Sequence, residues 1–204
     1  MTATSAQTAE PRAAGRVSGR FLTDLFRVLE RHDVPAFSLL GDLPVPRSEN
    51  GAIVDFVDWS TFTDLMQRLE REVGGPEGME ACGGLIGELE PAGALRRMAG
   101  LAASPLSLYR GAIRWALQRA LPGIETRISV VRDDRLEVRA RLADRLRPCP
   151  QIFHFATGGA RALPRILGMS DAVVAAEIGT NEATYQITLP PSLTLFARAR
   201  RALR

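Results

Sequence analysis

Lysine is absent from this 204-residue chain: all 26 basic side chains are arginine, set against 23 acidic ones. The formal charge of +3 and the isoelectric point near 9.5 therefore reflect a side chain that never loses its proton in the usual range. The arginines run from Arg12 to Arg204 with acidic residues between them. A nucleic-acid surface gathers its basic residues on one face, so no nucleic-acid partner is expected. Cysteine is scarce too, with Cys82 and Cys149 far apart. That excludes a disulfide framework and suits a reducing cytoplasm. No apolar run approaches the ~20 residues that span a bilayer, so no membrane partner is expected. The opening "MTATSAQTAEPRAAGR" has no apolar central segment of the kind a secretory signal carries. It offers almost nothing to bury, which makes residues 1–16 an expected disordered tail on a cytoplasmic protein.

Catalytic motifs are missing as well. There is no Gly-x-Ser-x-Gly elbow, phosphate loop or dinucleotide fingerprint. The glycine-rich "GGLIGE" lies inside a helical pattern with no strand before it. The acidic pairs Asp55/Asp58 and Asp133/Asp134 stand where caps and turns want them. With only His32 and His154 in the chain, histidine chemistry has few arrangements open to it. The chain is not expected to be an enzyme.

What is present is periodicity. In "VSGRFLTDLFRVLERHDV" the residues Val17, Phe21, Leu25, Val28 and His32 recur at helical spacing, with Ser18 as a possible cap. A turn-rich stretch follows, with a short extended piece near Ala52 to Val57. "DWSTFTDLMQRLEREVGG" predicts a helix with Phe62, Leu65, Met66, Leu69 and Val73 on one face, capped by Asp58 or Ser60 and stopped at Gly74-Gly75. "PEGMEACGGLIGELE" predicts another, weakened by glycines that let a backbone or a ligand come close. A short helix over "AGALRRMAGLAA" and a buried one over "SPLSLYRGAIRWALQRALPG" complete the helical half. The period then shortens to two. "ETRISVVRDDRLEVRARLA" reads as two strands turning at Asp133-Asp134, and "DAVVAAEIG" with "ATYQITLP" as two more. Between the hairpins, "CPQIFHFATGGARALPRILGM" predicts a helix with Pro150 in its first turn. Ile152, Phe153, Ala156, Ala160, Leu163 and Leu167 form one face, Pro164 a kink and Gly168 a stop. Gly158-Gly159 is expected to pack on the sheet or on the helix carrying Trp115. His154 has no His, Cys or carboxylate at i+3 or i+4, so it is read as structural rather than as a metal ligand. Cys149, though placed where a helix begins, is read as a small packed residue.

These elements predict an α+β fold: a helical N-terminal half, then a β-β-α-β-β unit whose four-stranded antiparallel sheet packs on helices. Residues 17–191 would form a single domain and 192–204, "SLTLFARARRALR", a basic C-terminal helix.

"GGPEGMEACGGLIGE", "LAASPLSLYRGAIRWALQRALPG", "RPCPQIFHFATGGARALPRILGM" and "AVVAAEIGTNEATYQITLP" together resemble bacterial sensor domains related to the haem NO-binding and 4-vinyl-reductase families. Versions with "SPLSLYR" and "CP…LPRILGM" are similar to domains found in front of signalling histidine kinases. The resemblance implies a sensory or regulatory module acting in bacterial signalling, with a small apolar ligand between helices and sheet. It implies a homodimer and a signalling kinase or other output partner. The haem-binding branch carries a proximal His and a Tyr-x-Ser-x-Arg clamp, whereas "SLYRGAIR" has Tyr109 and Arg110 in another order. Two separated cysteines do not reproduce the cysteine cluster of the other branch. No haem, metal or other cofactor is therefore expected. The large or soft side chains of the central helices are the candidate pocket: Trp59, Phe62, Cys82, Ile86, Tyr109, Trp115 and Phe153. Two other readings stay open: a ligand-free dimerisation module, and the effector-binding half of a transcription regulator.

Overall fold

The computed structural model describes residues 15–89, 106, 108–113 and 120–190. The expected helix over 92–103, Trp115 and the C-terminal basic segment lie outside these. The chain opens with β1 (Arg16–Ser18), which pairs antiparallel with β2 (Phe56–Asp58), Val17 facing Val57. Arg16, expected at the end of the tail, is thus already in a strand, and Val17 belongs to β1 rather than to the helix after it. That helix, α1 (Gly19–Glu30), starts where Ser18 accepts a hydrogen bond from the Phe21 N–H.

The turn-rich stretch after α1 is tied down by a buried hydroxyl. Thr23 Oγ1 accepts from the Ile53 N–H at 2.9 Å, which fixes the extended piece ahead of β2. Arg68 holds the other side, donating to the Leu39 carbonyl and to Asp42. Then come α2 (Trp59–Glu72) and α3 (Pro76–Gly84), joined through Gly74 and Gly75, both at positive φ. The buried face of α2 carries Trp59, Phe62, Leu65, Met66 and Leu69, each worth roughly 1.5–3 kcal/mol on leaving water. A 3-10 turn (Leu85–Glu88) continues α3, and residues 106 and 108–113 are helical.

The second half is the expected β-β-α-β-β unit: β3 (Ile124–Arg132), β4 (Arg135–Leu142), α4 (Pro150–Ala162), β5 (Val173–Ile178) and β6 (Glu182–Thr188). The strands form one antiparallel sheet in the order β3-β4-β6-β5. Along β4, Leu136, Val138, Ala140 and Leu142 point inward; along β6, Ala183, Tyr185 and Ile187 do. The β3 edge is broken by a register shift between Val130 and Arg132 and carries Glu125, Arg127 and Arg132. The β5 edge, "VVAAEI", has no such irregularity.

Two expectations about α4 need correcting. Pro164 does not kink a continuing helix. Lacking an N–H, it ends α4, and the chain runs on as a 3-10 turn (Leu163–Leu167) to Gly168 at φ 69°. The Gly158-Gly159 pair, expected on the sheet or on the helix carrying Trp115, which lies outside the described residues, packs on α3. A Cβ at Gly158 would stand 1.7 Å from the Glu80 carbonyl oxygen, and one at Gly83 would stand 1.8 Å from that of Phe155. The two glycines let the backbones of α3 and α4 touch, so it is a backbone, not a ligand, that uses this space.

Candidate functional site

The space between α4 and the sheet is not completely filled. A cavity of about 160 Å³ lies there. Ile124, Thr126, Val138, Ala140, Tyr185 and Ile187 line it from the sheet, and Ile152, Phe153, Phe155, Ala156, Gly159, Ala160 and Leu163 from α4 and its end. Tyr109, Ala112 and Ile113 close it from the helical segment 108–113, with Ile86 and Leu121 at the margins. The reason for the void is legible in the side chains. Ala112, Ala140 and Ala160 put only a methyl group each into the layer. Of the expected face, Ile152, Phe153, Ala156, Ala160 and Leu163 line this cavity, while Leu167, in the 3-10 turn after α4, does not.

The wall is almost all carbon. Two phenols enter it, and both are tied to main-chain oxygens of α4. Tyr109 donates to the Ala160 carbonyl at 2.5 Å, and Tyr185 donates to the Phe153 carbonyl at 3.1 Å. The first bond has a local cause. The Ala160 carbonyl would accept from the N–H of residue 164 in a continuing helix, and residue 164 is proline. Tyr109 supplies the missing donor from another element. Burial pushes both phenols well above the ordinary tyrosine range, with Asp171 adding to the effect on Tyr109. They are neutral donors at any physiological pH.

The candidate pocket residues divide. Ile86, Tyr109 and Phe153 meet on the cavity wall. Trp59 and Phe62 lie elsewhere in the core, their rings 5.2 Å apart, with Trp59 Nε1 donating to the Arg147 carbonyl. Cys82 lines a separate groove with Asp33, Glu72 and Gly78. Trp115 is outside the described residues. Sequence reasoning missed the sheet's contribution, Thr126, Val138, Ala140, Tyr185 and Ile187. The period of two in the strand stretches predicts a two-faced sheet without saying what each face meets.

The histidines and cysteines lie apart from the cavity. His32 pairs with Glu88 at 3.0 Å on the surface. His154 is on α4 but not on the wall, and its Nδ1 is buried with no hydrogen-bond partner. Cys149 is fully buried, and burial pushes its thiol up to about 11. Burial also raises Cys82. Among the described residues there is no group of three or more His, Cys, Asp or Glu side chains that could hold a metal. No helix among them is long and apolar enough to cross a membrane.

No protein-family model and no curated protein matches the chain. Solved structures do. An oxygen-binding H-NOX domain related to soluble guanylate cyclases superposes with a TM-score of 0.58 at 12% identity, covering 87% of this chain and 97% of that one. The Fe(II) unliganded H-NOX protein from K. algicida gives 0.52 at 13% identity over 87% of this chain and 99% of its own. A mutant H-NOX from T. tengcongensis gives 0.55 at 12% identity, over 87% and 100%. At such identities the likeness is one of fold: the chain has an H-NOX-like architecture.

Proposed function

From an H-NOX-like shell whose cavity wall is carbon, we propose that this chain is a non-catalytic sensory module that binds a small apolar molecule without haem. It would work as a homodimer and pass its state to a signalling kinase or another output partner. The observation that carries this reading is the cavity: about 160 Å³, walled by small and apolar side chains. An enclosed apolar void of ~150 Å³ takes up benzene, and this pocket, which opens to solvent at the exposed Ala156, offers a similar volume.

Haem does not fit the residues described. A porphyrin is several times larger than benzene. Among the described residues the wall holds no His, Cys or Met to ligate iron and no arginine to meet the propionates. Its phenols are already committed to Ala160 and Phe153. What remains is space suited to a molecule that needs contact and no ionic partner.

Benzene is the first probe. At 100 times its Kd a ligand specific for the folded state adds about 2.7 kcal/mol. For a chain of this size that is a rise in Tm of roughly 5–10 °C. Ala140→Leu, which fills the cavity from β4, should abolish the rise. Hemin titrated into the protein should leave its absorption that of free hemin. No response to benzene or to a wider apolar panel, with Ala140→Leu behaving as wild type, would overturn the reading in favour of a ligand-free interaction module. Stoichiometric hemin binding would overturn its haem-free part.

A further inference from the structure

The wall is not uniform, and its single open polar position points to a class of ligand. This step rests on the cavity being the binding site. Tyr109, Tyr185 and Thr126 are the hydroxyl-bearing residues of the wall among those described. Both phenol protons are spent on carbonyls of α4. Thr126 is half-buried and has no hydrogen-bond partner among the described residues. Its place in the sheet is informative. On β3 it stands opposite Ala140 of β4, which stands opposite Ala183 of β6. The neighbouring inward row carries Ile128, Val138 and Tyr185. The Thr126 row is therefore a shallow step in the sheet floor, low over its two alanines, with one hydroxyl at its rim. A charged ligand has nothing to pair with there and is excluded by the cost of burying its charge. A pure hydrocarbon lying over the half-buried Thr126 would offer its hydroxyl no partner.

We infer that Thr126 determines specificity, and that the ligand class is a neutral, roughly benzene-sized apolar body carrying one hydrogen-bonding group, which meets the Thr126 hydroxyl while the carbon frame lies over Ala140. Threonine both donates and accepts, so a carbonyl or an N–H satisfies the site equally. One such group is called for, because no other wall hydroxyl among the described residues is free.

The test compares probes of matched shape that differ in one polar atom: toluene against aniline, and methylcyclopentane against cyclopentanone. Dissociation constants are measured by calorimetry or by ligand-observed NMR, for wild type, for Thr126→Val, which keeps the shape and deletes the hydroxyl, and for Thr126→Ser, which keeps the hydroxyl. The expected result is a shift of about tenfold in the polar-to-apolar affinity ratio between wild type and Thr126→Val, with Thr126→Ser close to wild type and toluene binding unweakened in Thr126→Val. An unchanged ratio, with toluene still bound, overturns the role of Thr126 and leaves the apolar site standing. Failure of all four probes to bind wild type overturns the site itself, and this inference with it.

Discussion

Replacing Tyr109 by Phe removes one oxygen, yet the expected cost is well above that of a surface hydroxyl. The half-buried Ala160 carbonyl is left with no donor among the described residues, because the residue whose N–H would serve it is Pro164. A buried acceptor deprived of its partner costs about 1–3 kcal/mol. For a chain of this length each kcal/mol lowers Tm by about 2–4 °C. The decisive measurement is a double-mutant cycle. In a Pro164→Ala background the new N–H can extend α4 by one bond and reach Ala160 itself. Tyr109→Phe should then cost no more than about 0.5 kcal/mol, since the phenol has become redundant. Urea unfolding of wild type, both single variants and the double variant gives the coupling directly, provided the m-values agree. A coupling of about 1–2 kcal/mol is expected. If the two changes add to within about 0.5 kcal/mol, the account of why Tyr109 reaches across to α4 is wrong.

Three further predictions rest on packing and burial. Gly158→Ala drives a methyl into the Glu80 backbone, with 1.7 Å to the carbonyl oxygen. It should therefore abolish the native melting transition or lower it by more than 10 °C, roughly the effect of several kcal/mol. Gly84→Ala, with nothing within 4 Å of the new carbon, should raise stability by up to about 1 kcal/mol in the same melting assay. Cys149, held near 11 by burial, should stay unlabelled by a thiol reagent at pH 8 until the protein is unfolded. Its thiol ionises more readily in the unfolded chain, at about 8.5. The stability linked to it is complete below that value and is lost as pH rises towards 11. Labelling of native protein at pH 8 at the unfolded rate would contradict the burial.

The α+β order, both hairpins of the main sheet, the Ser18 cap and the Gly168 stop were all legible in the sequence, because each is fixed by a few neighbouring residues. Pairings between distant segments were not. Nothing near Val17 announces Val57 as its partner, and nothing in β4 says that β6 rather than β5 lies beside it. The glycines of α3 and α4 signalled a close approach, but only the fold shows Gly83 and Gly158 meeting each other's helix backbones. For the candidate site, side-chain size misled in an instructive way. Trp59 and Phe62 are large, and large side chains fill space, so they became core. A cavity is framed by what is small, and Ala112, Ala140, Ala156 and Ala160 carry no mark in a sequence rich in alanine.

The two edges of the main sheet have a consequence for growth. One edge, β3, has a bulge and charged side chains; the other, β5, offers an even run of six residues with a single glutamate. A strand that adds to β5 continues the sheet, but the β3 edge does not present an equivalent surface for the next addition. If the added strand is β5 of a second copy, the twofold uses up both receptive edges at once, and the assembly closes at two instead of running on as a fibre. The irregularity at Val130 to Arg132 thus acts as a terminator for the whole sheet, at the end opposite to the one it would protect.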